Sequence, residues 1–233
     1  IKNKIFHINN GIPDNLIDNN RSFNKFESRK DIVFMGSLVP QKNFHYLAKL
    51  WKLISFKIPD ATLHVIGSSN TYGINNNLGK RGLAEKEYEE KFTKLLNFDS
   101  LSSKKVHFHG NLGLSKYELL SKARVGIVNP LGTTETCCVS AVEMQSLGLP
   151  VCTGNYESLR TTVLDQISGL LSKSEKQFVE NIIQIYKSKS LFEKLSNGAR
   201  ANAKFNFSIN KIVVQWYEII YRVKMNIEIG KKF

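Results

Sequence analysis

The chain has 233 residues and a formal net charge of +13 at pH 7, with 42% hydrophobic and 23% charged residues. This is an ordinary globular composition, enough for one large domain or two small ones. No apolar run approaches membrane-spanning length and no signal peptide is visible. The three cysteines, Cys137, Cys138 and Cys152, make neither a disulfide framework nor a CxxC zinc site. Reduced thiols and a cytoplasmic location are the simplest expectation. The charge points to an anionic partner, either nucleotide phosphates, nucleic acid or an anionic membrane surface. Lys and Arg are spread along the whole chain, so charge alone does not choose among these. The chain opens on Ile1 rather than Met and is expected to be a piece of a longer protein.

Residues 1–30 read as a short strand at Lys4–Ile8, a turn at Asn9–Asp14 and a polar linker. Asp31–Gly36 is a continuous apolar run, a buried strand. After the loop Ser37–Gln41, a helix is predicted over Lys42–Lys57, with Phe44, Leu47, Ala48, Trp51 and Ile54 on its apolar face. Lys42 stands at the strand-to-helix junction, where a cation can reach a phosphate; an ordinary surface lysine would look the same. Thr62–Gly67 is a second strand, in which His64 is expected to face the core or a helix. Residues 68–86 form a long polar loop whose Lys80 and Arg81 could reach an anionic ligand. A helix follows over Glu87–Leu96, with Tyr88, Phe92 and Leu95 on one side.

The third strand is Lys105–Gly110. His107 and His109 share one of its faces, but no further ligand lies nearby and no metal site is expected. The loop Asn111–Ser115 leads to a helix carrying Tyr117 and Leu120, and then to the fourth strand, Arg124–Asn129. Later come a short helix within 154–165, a short strand at Ser168–Leu171, an amphipathic helix over Glu175–Lys187 and a helix over Leu191–Lys204. The last helix starts near Ser208, a good N-cap residue, with an apolar stripe of Ile209, Ile212, Val213, Trp216, Tyr217, Ile220 and Val223. Strands alternate with helices, and most strands end in glycine or a polar loop. The pattern predicts an α/β fold: a Rossmann-like, doubly wound parallel sheet of about six strands with helices on both faces. Three units follow: a linker and first strand over 1–30, the sheet domain over 31–207, and a helix and tail over 208–233.

The stretch from Asn129 to Gly154 is the centre of this reading. The strand Val125–Val128 is followed by a polar loop, then by a helix from near Cys137 to Gly148, then by a strand at Leu149–Thr153. In a parallel sheet, such a loop and helix N-terminus lie at the carboxyl edge, where ligands bind. Glu135 is in the loop and Glu143 on the helix. Helical side chains lean toward the N-terminus, so Glu143 can reach back toward the space in front of the helix. First-turn N–H groups near Cys138 and Val139 favour an anion there. Two carboxylates beside a phosphate are unfavourable unless they bind something else, and sugar hydroxyls meet that need. A phosphorylated polyol would fit; so would a solvated loop glutamate and a helix-surface glutamate with no ligand.

Several segments taken together resemble one family. They are Asn10–Asp14, Phe34–Lys42, Pro59–Gly67, Val106–Gly110, the Glu135 and Glu143 pair, Gly148–Val151 and Ser168–Leu171. In this order they resemble the C-terminal, donor-binding domain of a retaining GT-B glycosyltransferase of family 4 (glycosyltransferase group 1), over roughly residues 5–222. The resemblance implies that 31–207 is a nucleotide-sugar-binding domain, the C-terminal half of a GT-B fold. It implies roles as well. Glu143 would hold ribose hydroxyls, Glu135 donor-sugar hydroxyls, and Lys42 the leaving diphosphate. Backbone groups of Cys138 and Val139 would meet phosphate or sugar, main chain near Asn111 and Leu112 would contact the base, and Gly36 and Ser37 would belong to the donor-binding site. The donor would be a UDP- or GDP-hexose, and the acceptor a glycan or lipid-linked glycan held by an N-terminal domain outside this chain. The fold implies metal-independent chemistry, and there is no DxD motif. Isolated, the chain is expected to bind donor weakly and transfer little.

Two positions depart from the family pattern. The usual Arg after the first-loop glycine is Ser37, which removes a cation from the leaving group unless Lys80 or Arg81 compensates. The usual Phe-Gly after the first glutamate is Cys137-Cys138, which puts a Cβ where glycine allows the closest backbone approach. The alternatives are a non-catalytic nucleotide-sugar-binding module and a GT-B nucleotide-sugar epimerase. No nucleic-acid-binding signature accompanies the basic charge, but the charge suits peripheral contact with an anionic membrane.

Overall fold

The structure, a computed structural model, describes residues 6–17, 26–69, 77–97, 101–132 and 134–225. Its centre is a six-stranded, wholly parallel sheet: β1 (Asp31–Met35), β2 (Leu63–Ile66), β3 (Val106–Gly110), β4 (Ala123–Ile127), β5 (Val151–Gly154) and β6 (Gly169–Ser172), in the order β3-β2-β1-β4-β5-β6. The helices are α1 (Asp14–Ile17), α2 (Phe44–Lys57), α3 (Lys86–Leu96), α4 (Lys116–Lys122), α5 (Val139–Ser146), α6 (Glu157–Thr162), α7 (Glu175–Lys187), α8 (Lys189–Phe207) and α9 (Ile209–Lys224). The predicted α/β class and parallel sheet are what the chain forms.

A parallel sheet with helices on both faces must bury both sides of each central strand, so its strands read as continuous apolar runs. In β1, Ile32 and Phe34 join a core with α2, α3 and α7, through Phe44, Trp51, Phe92, Phe178 and Ile182. Val33 and Met35 point to the opposite core, with Tyr117, Leu120, Ala141, Met144 and Leu159 of α4, α5 and α6. Chain order then decides the geometry. β1 winds outward through β2 and β3 to one edge, and β4 winds through β5 and β6 to the other. Between β1 and β4 the order reverses, which makes the carboxyl edge here a topological switch point, the place where open α/β sheets bind ligands.

Several local expectations are corrected. Lys4 and Ile5 lie outside the described residues, and Phe6–Ile8 form no strand. Residues 10–17 are no mere linker: Ile12 and Ile17 are buried with Val142 and Phe207, and Ile12 bridges to Ser208. Arg29, within the expected polar linker, is fully buried and donates to the carbonyls of Ala123 (3.3 Å) and Leu147 (3.2 Å). Burial, with Arg200 nearby, lowers its pKa to about 10. In α3 the third buried apolar position is Leu96, not Leu95, because the apolar face advances by i, i+4, i+8. Ser208 makes no side-chain cap bond. The stripe of α9 is largely exposed, Val213 by 55% and Tyr217 by 72%. Among the described residues, no helix is long and apolar enough to cross a membrane.

Candidate functional site

Two loops meet at the carboxyl edge. The first, after β1, runs from Gly36 to Asn43. Gly36 donates to the Ile66 carbonyl at 3.0 Å. Gly67, at the end of β2, packs so closely against this turn that a Cβ there would lie 2.1 Å from the Gly36 oxygen. Its φ of +133° is in any case open mainly to glycine. The predicted helix does not begin at Lys42. Pro40–Lys42 form a 3-10 turn, and Asn43, with φ 59°, turns the chain into α2. Lys42 is therefore presented from a turn rather than from the helix face.

The second loop follows β4. Asn129 is its hub, 2% exposed and with φ 42°. Its side-chain oxygen accepts from the Asn43 amide at 2.9 Å, and its own amide donates to the Thr134 carbonyl at 3.1 Å. Its backbone carbonyl accepts from Gly132 (3.0 Å), Gly154 (3.4 Å) and the Thr153 hydroxyl (3.4 Å). Thr134 donates to the Gln41 carbonyl at 3.3 Å. These bonds tie the loops after β1 and β4 across the switch point. Leu131, with φ 52°, is held in left-handed backbone, which costs a branched side chain on the order of 1 kcal/mol. Strain of this kind gathers where surrounding contacts over-determine a loop.

This bracing sets the first predicted pair. Lys42 Nζ lies 2.6 Å from Glu135 Oε2, and the Glu135 side chain is 6% exposed. The Glu135 backbone carbonyl accepts from the Ser158 hydroxyl at the start of α6. Glu135 is thus held from both sides, its carboxylate by a cation from the β1 loop and its backbone by α6. Removing one partner of a pair this sheltered strands the other charge.

Glu143 lies on α5 but reaches α4 rather than Lys42. Lys116 Nζ is 2.7 Å from Glu143 Oε1, and the two side chains are 19% and 17% exposed. Tyr117 Oη approaches the same oxygen at 3.4 Å. Burial, then the adjacent Glu143 charge, pushes the Tyr117 phenol up to about 12. Asn111 and Leu112 sit in the loop between β3 and α4, Asn111 exposed and Leu112 packed on the second core. Each carboxylate the sequence singled out therefore has its own lysine.

Cys138 lies at the N-cap of α5 with φ −85° and ψ 79°, which needs no glycine. Its thiol is buried in the second core. Burial, then the neighbouring Glu135 charge, raises its pKa to about 12. It packs rather than reacts. The Val139 N–H donates to the Cys137 carbonyl at 3.1 Å, so it is not the free first-turn amide that the sequence suggested.

A family model described as glycosyl transferases group 1 matches residues 17–202. The chain belongs to this family. An uncharacterized glycosyltransferase of Haemophilus influenzae is 24% identical over 221 residues, 94% of this chain and 55% of that protein. The chain thus spans about half the length of the curated relative it matches. A glycosyltransferase from Rickettsia africae ESF-5 superposes with a TM-score of 0.73 at 18% identity, over 95% of this chain and 57% of that one. Anabaena Alr3699/HepE in complex with UDP and glucose gives 0.71 at 17% identity, over 92% and 56%. Staphylococcus aureus TarM, in a complex that includes UDP, gives 0.71 at 17% identity, over 92% and 39%. At these identities the likeness establishes the fold: the Rossmann-like sheet of GT-B glycosyltransferases.

Within the glycosyltransferase group 1 chain, Lys42 and Glu135 meet directly, and Cys138 is close enough to feel both charges. Gly36 and Ser37 form the turn leading to them and are half-buried. Lys80 and Arg81 are exposed on a loop anchored by Glu89, which accepts backbone N–H from Arg81 and Leu83, both at 2.7 Å. Sequence reasoning missed Asn43, Asn129, Lys116 and Ser158. The Asn residues carried a signal, because Asn tolerates left-handed backbone at strand and helix junctions. Lys116 and Ser158 carried none, since each acts on a residue more than 20 positions away. Elsewhere, His64 Nδ1 and His109 Nε2 lie 2.9 Å apart at the β2–β3 edge. Among the described residues, no group of three or more His, Cys, Asp or Glu is arranged to hold a metal ion.

Proposed function

We propose that this chain is the donor-binding, C-terminal half of a retaining GT-B glycosyltransferase of family 4. It would move a sugar from a nucleotide-diphosphate sugar to an acceptor held by a separate N-terminal domain. The observation that carries this reading is the Lys42–Glu135 pair at the β1–β4 switch point. A crevice at that place in an open α/β sheet is where such folds bind ligands. Family membership supports sugar transfer, and the UDP complexes of the structural neighbours favour UDP over GDP as the nucleotide.

In this reading Glu143 accepts from the ribose hydroxyls and Glu135 from the donor-sugar hydroxyls. Lys42 turns from Glu135 toward the diphosphate as negative charge develops on the leaving oxygen, where a preplaced cation lowers the barrier most. Backbone at Cys138 contacts phosphate or sugar, and the Val139 N–H does so by leaving the Cys137 carbonyl; Gly36 and Ser37 line the donor site, and main chain at Asn111 and Leu112 contacts the base. No metal cofactor is invoked, so binding and transfer should withstand EDTA. The acceptor is a glycan or lipid-linked glycan, and the basic surface assists contact with an anionic membrane. Ser37, in place of the second diphosphate cation, favours a second reading in which the chain binds nucleotide sugar without turning it over.

Calorimetry of the chain with UDP, GDP and ADP, alongside Glu143→Ala, tests the proposal. UDP binding that weakens at least about tenfold in the variant, the loss of a charge-assisted bond, supports it. Absence of nucleotide binding, or binding indifferent to Glu143, overturns it. Full-rate transfer by this chain alone would sink the claim that a second domain is needed.

A further inference from the structure

Lys116 is drawn into the site by the fold alone, and its geometry goes beyond the roles above. Its Nζ lies 2.7 Å from Glu143 Oε1, the Tyr117 hydroxyl is 3.4 Å from that same oxygen, and the Lys116 ammonium sits 5.3 Å from the Tyr117 ring centroid. Three groups thus form one cluster at the first turn of α4, sheltered by the second core, where Tyr117 is anchored. Both contacts fall on Oε1, and neither falls on Oε2.

We propose that Lys116, supported by Tyr117, is a positioning residue that makes this site selective for ribonucleotides. The inference rests on the reading of Glu143 as the ribose ligand. Two physical reasons carry it. First, a glutamate on a helix surface loses side-chain freedom when it binds a ligand. A carboxylate already fixed through Oε1 has lost it on folding, which leaves Oε2 preorganised to accept from a vicinal diol. Secondly, a bare carboxylate repels a nearby diphosphate. Lys116 cancels the charge of Glu143 as Lys42 cancels that of Glu135, so a polyanion can approach two carboxylates without net repulsion.

The test is calorimetric binding of UDP and 2′-deoxy-UDP to the unmodified chain, Lys116→Met, Lys116→Arg and Glu143→Gln, with circular dichroism to establish that each is folded. The expected result is a UDP affinity about tenfold lower in Lys116→Met, in line with one lost charge-assisted bond, with 2′-deoxy-UDP affected less. The preference for the ribonucleotide then shrinks, and Lys116→Arg restores most of it. A merely structural role would weaken both nucleotides alike and leave the preference unchanged. If Glu143→Gln abolishes the preference and Lys116→Met leaves it intact, the role of Lys116 is overturned while the donor-site reading stands. If Glu143→Gln changes neither affinity nor preference, or the unmodified chain does not bind UDP, the donor-site reading falls and this inference with it.

Discussion

In α7, the residues Phe178, Val179, Ile182, Ile185 and Tyr186 lie against the face of the sheet that contains Ile32, Val125, Cys152 and Leu170. Phe178 and Ile182 are fully buried. In α9, an apolar stripe of the same helical spacing stands mostly in solvent: Trp216 is 52% exposed and Ile220 61%, and among the described residues only Ile212 and Ile219 are buried. The ends of the two helices differ in the same sense. The Ser174 hydroxyl accepts from the Gln177 N–H at 3.2 Å and caps α7, whereas Ser208 makes no such bond to α9. Amphipathic sequence makes a helix able to be buried. Position in the winding order decides whether it is. After β6 only Lys173 and Ser174 intervene before α7 returns across the sheet, while α9 comes last, packed through α8 and the 10–12 segment.

Four measurements would break or sharpen this contrast. The largest effect is expected for Phe178→Ala. It empties a fully enclosed site and should cost about 3–5 kcal/mol in urea unfolding; a cost under about 1 kcal/mol would mean that the α7 face is not packed as described.

The second concerns alkali. Tyr88 of α3 is packed on the same side of the sheet, and its phenol is pushed up to about 12, chiefly by burial. The fold holds this group protonated, so its contribution is fully present below pH 10 and is lost as pH rises from there toward 12. Tyr88→Phe should therefore flatten the alkaline fall in stability by roughly 2 kcal/mol, read from unfolding midpoints between pH 9 and 12. An unchanged pH profile would contradict the burial of this face.

The third is Ser174→Ala, which should cost about 1 kcal/mol, the usual value of an N-cap bond, whereas Ser208→Ala should cost only a few tenths. Equal costs would erase the difference between the two helix starts. The smallest effect is expected for Trp216→Gln on the exposed face of α9, which should leave the stability of this chain within about 0.5 kcal/mol. A loss comparable to that of Phe178→Ala would place Trp216 in a core that the structure does not contain.

Legibility differed by region in the same way. The strands β1, β2 and β4 were readable because a strand buried on both faces is a mostly apolar run, broken only by His64 in β2 and Arg124 in β4. The α7 boundaries, Glu175 to Lys187, coincided with those of the predicted amphipathic segment because its apolar face keeps helical period throughout, and the structure adds the Ser174 cap at its start. Boundaries failed where one residue in left-handed backbone redirected the chain, as at Asn43, or where buried polar side chains replaced apolar pattern, as at Arg29. At the site, Glu135, Glu143 and Lys42 stood out by their placement around strand-to-helix junctions. Their partners did not, because Lys42 to Glu135 spans 93 positions and Lys116 to Glu143 spans 27, distances over which no local pattern reports contact.

What the amino-acid sequence determined by itself is the fold class and the alternation of strands and helices from Asp31 onward, since these follow from period, turn residues and the handedness of parallel connections. Only the tertiary structure decided that Glu135 meets a lysine from the turn after β1 and Glu143 one from α4, that the Cys138 thiol is packed in a core, and that the last amphipathic helix keeps its apolar stripe in solvent. Pairing and burial depend on which elements the sheet order brings side by side, and that is a property of the folded chain as a whole.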